Sequence, residues 1–182
     1  MKPSHRIAAA IMLVALAASS ASADGVADKF RECRSGKGDA AVAACTWYLS
    51  AGYNLSAQEN AFAHMLRAQA YIDQQKYQEA FDDYAAATQV QPRNADAWFN
   101  HAVLAARLSK LDVAVADLTQ AIALRPGWAQ AYVARGAMYL ALRDNQKALD
   151  DDTKALTLEP TNPDALADKA RAQERLGAAR SP

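Results

Sequence analysis

The side chains of this 182-residue chain that could do chemistry are few: three histidines, two cysteines and one run of acids. Histidine changes charge near neutral pH, so His64 and His101 are the first candidates for acid–base or metal work. Each stands alone within a stretch of apolar residues at helical spacing, the setting of a packing or solvated side chain. His5 falls in a segment expected to be removed. Asp150-Asp151-Asp152 offers the hard oxygen donors that calcium prefers. Consecutive residues on a helix point about 100° apart, so three in a row do not converge on one ion. A solvated helix face is the expectation there. The sequence has no HExxH, GxSxG, P-loop or GxGxxG pattern, the spacings that zinc hydrolysis, acyl transfer and nucleotide binding require. Asn54-Leu55-Ser56 fits a glycosylation sequon, a three-residue match of little weight. The expectation is a chain with no catalytic residues, no cofactor and no metal.

Cys33 and Cys45 flank the short polar stretch Ser35-Gly36-Lys37-Gly38. An even cysteine count in an exported chain points to one disulfide, here across facing turns of a helical hairpin. A metal or redox pair is the alternative, although the spacing is not CxxC and no histidine lies nearby. Export is read from the first 23 residues. Lys2 and Arg6 precede an unbroken apolar and alanine stretch from Ile7 to Ala18, too short to span a bilayer as a stable helix. Ala21-Ser22-Ala23 supplies small residues for signal peptidase, which predicts cleavage after Ala23 and a periplasmic or secreted product. An uncleaved N-terminal anchor is the other reading. Loss of Lys2 and Arg6 leaves 18 basic against 20 acidic residues, a net charge of −2. That balance argues against a nucleic-acid partner held by phosphate contacts, and no second apolar run reaches membrane length.

The elements that must carry these residues follow from an internal period. Pro92, Pro126 and Pro160 are 34 residues apart, as are Ala80, Ala114 and Ala148, and Ala87, Ala121 and Ala155. Tyr71, Ala105 and Tyr139 keep the step, and so do Ala68, Ala102 and Gly136. A period of this length signals a stack of supersecondary units. Within each, two apolar-striped segments of helical period are split by a short polar stretch such as Asp73-Gln74-Gln75-Lys76, which predicts a helical hairpin. Two helices approach closely only where side chains are small, the role of the alanine columns. Large residues such as Trp98 and Tyr132 fill the wider gaps. The prolines end each second helix, and Asn94, Asp96 and Asn162 stand where the next helix needs a cap.

These columns resemble the tetratricopeptide repeat family, with units over 61–94, 95–128 and 129–162. The family's first-helix series reads here as Trp98, Ala102, Ala105 and as Tyr132, Gly136, Tyr139, and its second-helix series as Ala80, Tyr84, Ala87. Two departures stand out: His64 for the bulky residue opening unit one, and Asp152 for the aromatic late in unit three. Residues 24–60 read as a degenerate N-terminal hairpin, with Thr46 matching Thr119 and Thr153 and a surplus loop around Gly52–Gln58. Residues 163–182 read as a C-terminal capping helix and tail. Leu166, Ala170 and Leu176 are expected inward, Lys169, Arg171, Glu174 and Arg175 outward, and Gly177 as the C-cap. The expected fold is all-α, a right-handed superhelical array of helical hairpins.

The resemblance further implies a concave groove lined by the first helices, which usually holds a peptide. Its positions fall on Phe62, Met65, Gln69 and Ile72 in unit one. In unit two they are Asp96, Phe99, Asn100, Val103 and Arg107, and in unit three Gln130, Val133, Ala137 and Leu140. Some members clamp a C-terminal carboxylate with Lys, Arg and Asn; here only Asn100 matches, with Met65, Gln69, Gln130 and Ala134 at the other places. The groove therefore reads as apolar and the function as a scaffold for a protein or peptide partner. The alternative is self-association through the same strip or through the N-terminal hairpin.

Overall fold

The computed structural model describes residues 25–51 and 54–179. The expected leader, residues 52 and 53 of the expected loop and the last three residues lie outside them. Among the described residues the chain is nine helices with no strand: α1 over 25–35, then α2 (Gly38–Ser50), α3 (Ala57–Asp73), α4 (Tyr77–Val90), α5 (Ala95–Arg107), α6 (Leu111–Leu124), α7 (Ala129–Ala141), α8 (Asn145–Leu158) and α9 (Pro163–Ala178). Each packs on the next along the chain, and α7 also meets α9. This is the all-α solenoid of helical hairpins.

The alanine columns set the close approaches. Ala80, Ala114 and Ala148 are fully buried, and so are Ala87, Ala121 and Ala155. Caps set the boundaries. Asn94 accepts from the Ala97 amide at 3.1 Å and Asn162 from that of Ala165 at 3.0 Å, each relieving a helix end of a free donor. Ser56, the hydroxyl residue of the sequon, is the N-cap of α3 and forms a capping box with Glu59. The turns inside the three hairpins repeat as well. Gln75, Ser109 and Arg143 all sit at φ of 60–64°, a left-handed conformation that non-glycine residues rarely adopt. In each turn the next amide reaches back five residues, Lys76 to Tyr71, Lys110 to Ala105 and Asp144 to Tyr139, at 2.8–2.9 Å. That bond closes the end of the first helix.

At the N-terminal end Cys33 and Cys45 are bridged, with Cα atoms 4.7 Å apart, and the pair pins α1 to α2. At the other end α9 departs from expectation. It runs through Gly177, and Ala179 is the C-cap. Glycine permits a left-handed stop without requiring one. The buried residues of α9 are Ala165 and Ala172, while Leu166 is 50% exposed. Leu166 takes the column of Trp98 and Tyr132, and Ala170, also expected inward, is exposed.

Candidate peptide-binding groove

Each of the three hairpins is tied by a polar pair on a buried aspartate that the sequence analysis missed. Arg67, His101 and Arg135 are 34 residues apart on the first helices, and Asp83, Asp117 and Asp151 stand opposite on the second. Arg67 grips Asp83 through Nε and one Nη at 2.8 and 2.7 Å, and His64 Nδ1 adds a contact at 2.8 Å. Arg135 grips Asp151 twice at 2.8 Å. In the middle hairpin the shorter His101 reaches Asp117 at 2.7 Å and stacks on Phe81 at 4.1 Å between ring centres. Burial pushes the Asp83 carboxyl up, but the hydrogen bonds from Arg67 and His64 outweigh it and hold the group below its usual range. The bond to Asp83 raises Arg67 in turn, as that to Asp151 raises Arg135. Such bidentate pairs in partly dry surroundings are expensive to break singly. The histidines serve these pairs, and the reading of Asp150–Asp152 as a solvated face holds only for Asp150, since Asp151 and Asp152 are buried. An interhelix partner across sixteen positions, repeated at the 34-residue step, was the available signal.

One further contact extends the pattern past the repeats. Arg67 donates to the Thr46 hydroxyl at 3.0 Å, and Arg135 donates to the Thr119 hydroxyl at the same distance. So α2 stands to α3 as α6 stands to α7.

Above these pairs lie the positions carried over from the resemblance. Phe62 and Val103 are exposed, at 42% and 48%. Met65, Ile72 and Phe99 are half-buried and also pack against the core, Phe99 meeting Trp128 with ring centres 4.5 Å apart. Val133 and Ala137 are half-buried, while Leu140 is buried against Ala148 and Ala172. Gln69, Asp96, Arg107 and Gln130 are exposed. Arg107 lies over the Tyr77 ring and donates to its hydroxyl at 2.7 Å, Asp96 pairs with Arg125 at 3.1 Å, and Asn100 donates to the Asp96 carbonyl at 2.9 Å. Three kinds of hollow accompany the row. One of about 360 Å³ opens beside Phe30 and Phe62, and a small apolar one of about 170 Å³ lies between Val103, Ala134 and Met138. At the far end two adjoining hollows of about 540 and 250 Å³ share Leu140 and Arg175, with Arg143 on one and Arg171 on the other. The hollow at the N-terminal end is thus lined by aromatics, and those at the C-terminal end by Arg143, Arg171, Arg175 and Asp168.

A stack of helical hairpins repeated at a fixed step defines a helical repeat protein. The family model for the tetratricopeptide repeat matches residues 65–127 and 100–163. The chain belongs to the tetratricopeptide repeat family. It is 35% identical over 118 residues to RNA polymerase II-associated protein 3 of Xenopus laevis, which covers 65% of this chain and 18% of that protein. The human counterpart is 35% identical over 106 residues, covering 58% and 16% respectively. The chain thus spans under a fifth of the length of these relatives. Among solved structures, the first such domain of Spaghetti (RPAP3), bound to the HSP90 peptide SRMEEVD, superposes with a TM-score of 0.64 at 32% identity. That match covers 69% of this chain and 99% of that one. MamA, at 22% identity, shares the fold with a TM-score of 0.70 over 76% of this chain and 73% of its own.

Proposed function

We propose that this protein is an exported, non-catalytic scaffold whose concave groove holds an extended apolar segment of another protein. The observation that carries the reading is the apolar row on successive first helices, from Phe62 through Val103 to Val133, with hollows beside it large enough for side chains. Exposed apolar strips of this kind mark interaction surfaces, with aromatics as anchors. Relatives bind peptides: the Spaghetti domain holds the HSP90 peptide SRMEEVD, and a second domain of human RPAP3 holds an HSP70 peptide. This chain differs from carboxylate-clamping members where Met65, Gln69, Gln130 and Ala134 replace charged or amide groups, and Asn100 already donates to its own helix. An acidic chaperone tail is therefore a poor match for these positions, and an apolar segment a good one.

The test is capture from envelope extract by wild type beside Phe62→Asp and Val103→Asp, two exposed positions whose change leaves helicity intact. A partner lost from both variants, and displaced by a synthetic peptide of its own sequence, supports the groove. Equal capture by all three sinks it. Export rests on the leader and on the Cys33–Cys45 bridge, which suits an oxidising compartment. Sequencing of the protein from the envelope is expected to begin at Asp24; a chain starting at Met1 overturns cleavage. Light scattering at micromolar concentration separates the self-associating alternative, which predicts a dimer.

A further inference from the structure

Asp152 stands at the point in its hairpin that Tyr84 and Leu118 take in the two before it. All three are buried. Yet Asp152 is 0% exposed, and neither carboxyl oxygen has a hydrogen-bond partner among the described residues. An ionised carboxylate in that condition is among the costliest groups a fold can hold. Three helices surround it. From α7, Gly136 leaves the room, since a Cβ there would stand 2.8 Å from Asp152 Oδ1. Arg135, the one charged residue of α7, is spent on Asp151. From α8 itself Asp151 bears on the group, and from α9 Asp168 and Lys169 do. Asp168 is itself held by Arg171 at 2.6 Å. Asp151 and Asp168 each carry an arginine partner, so what disfavours ionisation of Asp152 is chiefly the burial of a carboxyl group with no donor among the described residues.

We propose that Asp152 is a proton-controlled latch: its neutral form holds α9 against α7 and α8, and its ionisation loosens α9. Burial first, then repulsion from Asp168 and Asp151, pushes this carboxyl up to about 7. A released α9 would return it towards the ordinary value of 3.8. The docked state thus binds the proton more tightly, so docking is strongest in acid. It weakens as pH rises from about 4 to about 7 and changes no further above that. The joint at stake is small, formed by Leu140, Ala148 and Ala172, with Arg175 donating to the Leu140 carbonyl at 2.9 Å. Loosening α9 withdraws Asp168, Arg171 and Arg175 from the hollows beside Leu140 and bares that residue. The inference adds a control to that face, and it stands whether or not a peptide binds there.

Amide hydrogen exchange of the purified protein between pH 5.5 and 8, corrected for intrinsic chemistry, reads the latch without any partner. Opening of α9 should rise on the order of tenfold across that range, while α5 and α6 stay unchanged. Asp152→Asn, which keeps the shape without the charge, should abolish the rise. Asp152→Leu, the residue of the preceding hairpin, should abolish it and slow α9 exchange at every pH. Asp168→Asn should move the midpoint to lower pH. If wild-type α9 opens equally at both ends of the range, or Asp152→Asn keeps the same dependence, the latch is overturned.

Discussion

Leu118 and Asp152 occupy equivalent points of adjacent hairpins, and the joints around them differ accordingly. Leu118 sits in a cluster with Ala102, Ala105, Ala114, Ile122 and Ala131, flanked by Phe81, Phe99, Trp128 and Tyr132. The terminal joint has Leu140, Ala148 and Ala172 with Tyr139 and Leu149 beside them, and a carboxylate where the large apolar side chain would be. The alanine columns are equally buried in both. Small residues therefore set how closely the helices approach, while the large column sets how firmly each joint holds. A repeat array can keep one geometry along its length and still place a weak joint at one end, because its stability is close to a sum of neighbouring terms.

Putting the weak joint's residue into the strong one is the harshest test. Leu118→Asp would bury a carboxylate in an apolar cluster in place of leucine contacts and should cost about 4–5 kcal/mol or abolish folding, as read by urea unfolding. A loss below about 1 kcal/mol would mean the two joints are not distinct in the way described. Next, Arg135→Met leaves Asp151 buried and unpaired, with an expected loss of about 3 kcal/mol. The matching Arg67→Met should cost less, because His64 still contacts Asp83. Equal losses would remove the role given to His64. Cys45→Ser opens a short loop and should cost about 2–3 kcal/mol in a model where the bridge restricts the unfolded chain. The effect should be confined to α1 and α2 and visible as faster proteolysis near Cys33. The mildest probe is acid. Asp83 is held below its ordinary range, so its contribution is present above the unfolded value of 3.8 and lost as pH falls through the lower folded value. Asp152 has the opposite sign. Exchange should therefore tighten α9 on going from pH 8 to 5 and loosen α3 and α4 only in stronger acid.

Much of this was legible beforehand. The helical hairpins, their turns and the buried alanines follow from the 34-residue period, and the caps at Asn94 and Asn162 from residue type. The Arg67, His101 and Arg135 column was equally periodic, but its meaning depends on a partner sixteen residues away on another helix. The resemblance implies groove positions for Phe62 and Val103, and their exposure is a tertiary fact. The inward stripe expected on α9 is displaced: Ala165 and Ala172 are buried, while Leu166 and Ala170 are exposed. Asp151 and Asp152 show the same limit at closest range: adjacent in sequence, one is gripped by Arg135 and the other has no hydrogen-bond partner among the described residues.

The sequence by itself determined the helices, their order and the spacing of small residues that lets them pack, because these depend on local periodicity and side-chain size. Only the tertiary structure decided which charges are paired and which carboxylate is stranded. Those outcomes depend on distances between helices and on water excluded by all of them together, quantities that no single segment carries.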